Sequence, residues 1–488
     1  MKSSRKSGDL SPDGDNMQHV ASEARPLLSS GATESFGTVW GGERGSPSAA
    51  FYFATSWVLF LEGLSGLSGL AVSYFYKNTL GVDPATLSTV SSLTALPWTC
   101  KPIYGFVSDS YPIFGYRRRP YILIAGIVGF LSWVAMGTIV NGVWQGFTAM
   151  LFGSAAIAVA NVMSEALLVE RSKGESQEFA SHLQSVVWGA ASVGGLIAAF
   201  FSGYLLKIMT DRQVFLLSSL LPLSLVFTSF VTPDHKVKKT DAAEDSGRMK
   251  RQAKELYKTI MLPEIFYPCA FIFLLNATPS TGSAWFFFYS SKPPLGLGFT
   301  PTFLGTVNIV GSVFNLGGVV LFQAFLKNMP FRPVLLLGTL AATFLGLTNL
   351  IVVFHWNRAW GIPDEFFCLG ESAIQAVVGW IATMPIIVMA SRLCPEGMEG
   401  TCYALIMSIN NLGGIIGTQI GAWLTLYLGV TSTNLDNFWL LVFICNASTV
   451  LPLVLIGWVP DTDPHTLIQQ RRAEMVAQEK EARGEDRT

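Results

Sequence analysis

Charge is what this chain has least of: Asp, Glu, Lys and Arg make up 13% of its 488 residues, where soluble domains carry about 25%. With half of the residues hydrophobic, that deficit excludes an ordinary soluble fold and points to a membrane. Cysteine is sparse and unpatterned. Cys100, Cys269, Cys368, Cys394, Cys402 and Cys445 show no paired spacing, and four fall in or at the edge of apolar runs, so each reads as a small buried hydrophobe. No zinc-type spacing, phosphate loop or nucleophile elbow occurs, which argues against a membrane enzyme or a bound cofactor. The net charge of −1 gives no reason to expect a nucleic-acid partner. The first fifty residues are rich in Ser, Gly and Asp and lack an apolar core, so no signal peptide is expected. Asp9, Asp13 and Asp15 argue against an organelle transit peptide.

Long apolar runs are what the chain has most of. A helix needs about 20 mostly apolar residues to cross a bilayer. Reading on that basis places spans near 51–76, 87–107, 120–140, 146–168, 183–206 and 213–232. Six more follow near 266–290, 301–326, 333–354, 370–391, 402–428 and 437–459. The expected fold is all-α, with twelve transmembrane helices in two six-helix halves, 51–232 and 266–459. A cytoplasmic linker, 233–265, joins them, and tails 1–50 and 460–488 lie on the same side. Within the linker, KELYKTI has the spacing of an interfacial helix.

Charge tests this topology independently. With both termini inside, the tails and even-numbered turns hold 26 of the 32 Lys and Arg, and Lys101 alone sits within a span. Long segments count for less in orientation, yet the short inner loops still carry Arg117–Arg119, Arg171, Lys173, Lys327, Arg332 and Arg392. The halves also echo each other. Arg119-Pro120 opens the third span and Arg332-Pro333 the ninth, with proline in the first helical turn, where it loses no needed hydrogen bond. Two parallel halves, each of inverted triplets, form an arrangement similar to the major facilitator superfamily.

Ionisable and amide groups inside spans are the candidates for function, because a charge at that depth is costly unless paired or facing a cavity. Glu62 lies mid-span in LEGLSGLSGL. It reads either as a carboxylate facing a cavity or as a paired group on a packing helix smoothed by Gly63, Gly66 and Gly69. Lys101 either neutralises Glu62 or binds an anionic solute. Glu165, one turn beyond Asn161 on the same helix face, is the candidate proton-coupling residue, whereas Glu170 and Arg171 read as a solvated pair at the water boundary. Asn276 precedes Pro279, which breaks the seventh span and frees backbone carbonyls; these are tolerated only when buried in protein or lining a cavity. Asn308, Asn315, Asn410, Asn411 and Gln419 put amides in later spans, as cavity lining or helix–helix contacts. The aromatic run Trp285–Tyr289 serves either stacking on a flat ring or packing. The candidate substrate-binding residues are therefore Glu62, Lys101, Asn276, Asn308 and Asn410.

Gly105, Asp109, Gly115 and Arg117–Arg119 resemble the inner-loop motif of major facilitators, although the glycines stand ten residues apart instead of the usual seven. On that likeness Asp109, Arg117, Arg118, Arg119, Glu170 and Arg171 are candidate gating residues. The whole stretch KPIYGFVSDSYPIFGYRRRPY resembles the signature of the folate–biopterin transporter family. SEALLVER, ATPSTGSAWFFFYSSKPPLGLGFTPTFLG and CPEGMEGTCYALIMSINNLGG agree with it across both halves. The resemblance implies secondary transport of folate or a related pteridine, driven by protons. It extends to carriers of other small metabolites such as S-adenosylmethionine, and a non-transporting receptor on the same fold is the third reading. Glu165 stands where the family usually has aspartate, and Asn161 where it often has a second acid. The expected setting is the plasma membrane or an endosomal, lysosomal or vacuolar membrane, since Glu23-Ala-Arg-Pro-Leu27-Leu28 resembles a dileucine signal for sorting adaptors.

Overall fold

Prolines and polar residues decide where the apolar runs stop being continuous helices. The computed structural model describes residues 48–172, 177–234, 236, 258, 260–326, 329–394 and 399–460. The dileucine-type motif, most of the linker including most of KELYKTI, and nearly all of both expected tails lie outside them. The first run forms α1, Ala49–Thr79. The second breaks into α2 (Pro84–Thr94), α3 (Leu96–Thr99) and α4 (Lys101–Ser110), with Pro97 and Pro102 in the first turns of the latter two. Long helices follow: α5 Arg119–Thr138, α6 Val143–Ser172, α7 Gln177–Ile208 and α8 Asp211–Val231. The capping box of Thr210 and Gln213 begins α8.

The seventh run also divides, into α9 (Pro263–Asn276) and α10 (Ala284–Ser290). It is followed by α11 Pro301–Leu326, α12 Phe331–Val353, α13 Trp356–Ala359, α14 Asp364–Arg392, α15 Glu399–Tyr427 and α16 Phe438–Ser448, with a 3₁₀ segment Leu451–Trp458 after it. Among the described residues nine helical segments are long and apolar enough to cross a membrane. The continuous second span expected from hydropathy is thus corrected to helices in series, and the seventh is interrupted around Pro279 as its sequence led one to expect. The expected eleventh span is a single 29-residue helix, α15, that is not among the nine. Hydropathy averages over such breaks, because a proline costs a helix its hydrogen bond but adds no charge.

Small residues set how closely the helices pack. A methyl group on Gly63 would run into the Ala191 carbonyl and one on Gly194 into the Phe60 carbonyl, so α1 and α7 cross with their backbones in contact. Gly66 and Gly69 have more room, so the smooth face expected after Glu62 narrows to Gly63. None of the six cysteines forms a disulfide and five are buried, as small apolar side chains would be. The repeated Arg-Pro step has a structural counterpart. Arg119 Nε donates to the Thr232 carbonyl just beyond α8, and Arg332 Nε donates to the Val459 carbonyl, 2.6 Å away, just beyond the last helix. Each arginine holds the terminal carbonyls of the helix that ends three runs later in the sequence.

Candidate functional site

The two broken runs face one another through α15, and a cavity of about 660 Å³ lies where they meet. Its walls come from Glu62 of α1, Ser91 and Ser92 of α2, Trp98 of α3, Asn276 at the end of α9, and Asn410, Asn411 and Thr418 of α15. The break after Asn276 is stabilised from both sides. Ser280 N–H donates to the Gly417 carbonyl at 3.2 Å, and Ser283 N–H donates to Ser88 Oγ at 2.8 Å. A Cβ at Gly421 would overlap the Ser280 carbonyl, so glycine there lets α15 supply the partners that the broken helix lacks. Gly282, at φ +51°, makes the turn that restarts the helix.

Two acid–partner pairs lie in this region: Glu62 lines the cavity, and Lys101 with Glu165 lies behind Trp98, which also lines it. Asn161 Nδ2 donates to Glu62 Oε2 at 2.6 Å. Lys101 Nζ lies 3.3 Å from Glu165 Oε1 and 3.5 Å from Oε2, with the Trp98 ring centroid 5.1 Å away. Of the two readings for Lys101, neutralising Glu62 or binding a solute anion, the first changes in its contact: the ion-pair partner is Glu165, Glu62 is bonded by an amide, and the lysine's charge acts on Glu62 only from further off. The reason is the break at Cys100, which starts a new helix at Lys101 packed against α6. Sequence spacing cannot show that turn. The Lys101–Glu165 pair is open to exchange, since the lysine side chain is 19% exposed and the glutamate 37%.

Asn276 and Asn410 are brought together as expected, with Nδ2 of the first donating to Oδ1 of the second at 2.9 Å. Asn308 is not: it is exposed on α11 and lines neither of the two main cavities. Trp285 and Tyr289 stack obliquely on each other, 5.3 Å between centroids, beside a second cavity rather than the first.

At the end of the bundle where α4 finishes and α6 ends, Arg118 gathers a polar cluster. Its guanidinium contacts Asp109 Oδ1 at 2.7 Å, Glu170 Oε1 at 2.5 Å and Ser108 Oγ at 2.6 Å, and only 4% of the side chain is exposed. Burial works against this charge, but Glu170 and Asp109 outweigh it and hold the guanidinium above its ordinary value. Glu170, expected at the water boundary, is 44% exposed there and is joined to Arg118 across the turn. Backbone N–H groups of Arg118 and Arg119 donate to Asp234 Oδ2 at 2.7 and 2.9 Å. Arg117 and Arg171 are half-buried at the same end.

The opposite end, where α1 finishes and α2 begins, is tied across the two halves of the sequence. Lys77 Nζ donates to Ser290 Oγ and Ser291 Oγ at 2.7 and 2.9 Å, Ser432 N–H donates to Asp83 Oδ1 at 2.8 Å, and Gln419 bonds Ser92 and Thr89. Lys77 follows the first apolar run, and the reading of ionisable groups within spans passed over Glu371 entirely. Glu371 is buried in α14 and lines the second cavity. The available signal was the rule that an ionisable residue within a span needs an explanation.

Residues 62–479 match the BT1 family. The chain is 43% identical over 407 residues to the folate-biopterin transporter of Synechocystis sp., covering 83% of this chain and 81% of that one. It is 29% identical to folate transporter 1 of Plasmodium falciparum, covering 84% and 79%. The fold is similar to the nucleoside transporter NupG, with a TM-score of 0.62 at 14% identity over 84% of this chain and 97% of that one. A D-xylose-proton symporter gives 0.60 at 14% identity over 85% and 98%. A helical bundle with a polar cavity at broken helices, a carboxylate in its wall, an ion pair close by and ties at both ends suits a solute carrier, and no enzyme chemistry is needed to account for it. The chain belongs to the BT1 family, the folate–biopterin transporters of the major facilitator fold, and is a multi-pass membrane transporter.

Proposed function

We propose that this protein moves folate or a related pteridine across its membrane by proton-coupled alternating access. In this reading twelve spans form two halves and both termini are cytoplasmic. The observation that carries the coupling is the Lys101–Glu165 pair at 3.3 Å. Lys101 pairs either with Glu165 or with a carboxylate of the solute. A proton on Glu165 releases the ammonium for an anionic substrate, and loss of that proton returns it. Glu62, held by Asn161, with Asn276 and Asn410, supplies acceptors and donors for the N–H and carbonyl edges of a flat ring. The names of the relatives, a folate-biopterin transporter and a folate transporter, support this substrate class.

On this topology the contacts of Lys77, Asp83 and Gln419 close the outer end, and the conformation faces inward. Asp109, Glu170, Arg171 and Arg117–Arg119 form the inner gate, with Arg118 at its centre. The plasma membrane or an endosomal, lysosomal or vacuolar membrane is the proposed location, with sorting through Glu23, Leu27 and Leu28. The second reading, transport of another small metabolite, uses the same cavity without requiring a carboxylate on the solute.

The test is uptake of labelled folate, biopterin and S-adenosylmethionine by proteoliposomes under an imposed pH gradient. Folate and biopterin should accumulate against their gradients and S-adenosylmethionine should not. Accumulation that ignores the pH gradient removes the proton from the reading, and transport of S-adenosylmethionine alone replaces the substrate. Glu165→Gln should abolish accumulation and spare exchange.

A further inference from the structure

The tenth apolar run begins DEFFCLGESAIQ, and its first turns carry three acids with different fates. Asp364 is bound by Arg358, 2.6 Å away at the helix start. Glu365 is exposed beside it. Glu371 lies seven residues further along α14, about 10 Å deeper at 1.5 Å per residue, and its exposure falls to 9%. Nothing basic meets it: among the described residues no Lys, Arg or His pairs with Glu371. Its contacts are neutral. Gln375 Nε2, one turn on, donates to Oε1 at 2.7 Å, and the Asn349 amide of α12 stands beside the carboxylate.

The group opens onto the second cavity, about 400 Å³, away from Glu62. Each neighbouring element can be accounted for. From α10 come Trp285 and Tyr289; from α11, Val307 and Gly311; from α12, Asn349; and from α14 itself, Cys368 and Ser372. The titratable neighbours are thus Tyr289 and Cys368, both uncharged in their ordinary forms, and the acids Asp364 and Glu365 at the helix start.

A carboxylate so placed has three ways to avoid the cost of an isolated buried charge: a cationic side chain, a metal ion or a proton. The first is absent among the described residues. A hard cation needs several charged or carbonyl oxygens, whereas this cavity offers one carboxylate with amides and a hydroxyl. We propose that Glu371 is a second proton-binding site, distinct from the central cavity. It takes a proton when closed off from water and releases it when the cavity opens.

Its link to transport is short. Tyr289 and Trp285 sit on α10, the seven-residue helix restarted by the turn at Gly282, and the break before that turn is held against α15 at the central cavity. A change of charge at Glu371 therefore acts on the helix that follows the break held against α15 beside the solute's cavity. This rests on the proton-coupled reading given above, and it adds a second proton per cycle.

Two measurements separate the failure of one from the failure of the other. In proteoliposomes the pH gradient that just stops net folate flux at a fixed folate gradient gives the protons moved per folate. That ratio should fall by half in Glu371→Gln and recover in Glu371→Asp; a ratio unchanged from wild type overturns the proposal. Independently of transport, infrared difference spectra of the purified protein between acidic and alkaline pH should show a protonated-carboxyl band that is lost in Glu371→Gln and kept in Glu165→Gln. If wild type moves no protons with folate but this band is present, the coupling reading fails while Glu371 still binds a proton. If the band is the same in Glu371→Gln as in wild type, Glu371 is a structural acid and the inference fails.

Discussion

Replacing Lys101 by alanine tests the substrate and the ion pair together. The ammonium lies 3.3 and 3.5 Å from the two oxygens of Glu165 and over the Trp98 ring, so it is already positioned for a carboxylate in the cavity. Folate carries two carboxylates on its glutamyl tail, and biopterin presents a similar ring without them. A hydrogen bond to a charged group contributes about 1.5–3 kcal/mol, which is about a ten- to hundredfold loss of folate affinity at 1.4 kcal/mol per factor of ten.

The variant also strands Glu165. That carboxylate is 37% exposed, so water takes over much of what the lysine supplied, and the cost resembles that of an exposed pair, about 1 kcal/mol or less. Biopterin affinity should therefore change by no more than about fivefold. The assay is competition by each compound against labelled wild-type and variant uptake. A loss of at least tenfold for folate, beside a small change for biopterin, supports contact with the tail. Equal losses for both refute it and leave Lys101 as the structural partner of Glu165. In that case the double variant Lys101→Met with Glu165→Gln should bind biopterin better than either single change.

Removing the guanidinium in Arg118→Met leaves Asp109 and Glu170 without their shared cation. Breaking a buried pair costs about 3–5 kcal/mol, and because these carboxylates are 39% and 44% exposed the drop in thermal stability in detergent should sit at the low end of that range. Asp109→Asn, a milder change, should keep expression and weaken cross-linking between α4 and α15 at the same end; unchanged cross-linking excludes Asp109 from the gate. Gly421→Val drives a side chain into the Ser280 carbonyl and should abolish transport with a loss of stability, whereas Gly379→Ala, with open space around its Cβ position and away from both cavities, should be neutral. Single cysteines in 233–263 should react with impermeant reagents only from the cytoplasmic face and those near Lys292 only from the other; labelling of both from one side removes the twelve-span topology.

Much of this protein was legible as sequence because lipid imposes a one-dimensional rule: a helix that crosses must be apolar over a set length. That rule located the long helices α1, α5–α8, α11, α12 and α14 within a few residues, apart from the longer ends of α6, α7 and α14. It also marked Glu62, Lys101 and Glu165 as groups needing a reason to be there. The Arg-Pro repeat showed where equivalent helices begin. What the arginines hold, carbonyls beyond the ends of helices more than a hundred residues away, only the fold decided.

Pairing followed the same division. Hydropathy weighs residues singly, but the partner of a charge depends on helix rotation and on breaks that cost no hydrophobicity. The break at Cys100 put Lys101 in contact with Glu165, and the turn at Gly115 brought Arg118 to Glu170. Glu371 was overlooked because it stands near the start of its span, where a charge passes as interfacial; packing of α10, α11 and α12 around it is what makes it buried. The sequence by itself determined that these charges lie within a membrane-embedded chain. Tertiary structure decided which of them meet, because ion pairs and cavities form between helices whose relative rotation no local pattern records.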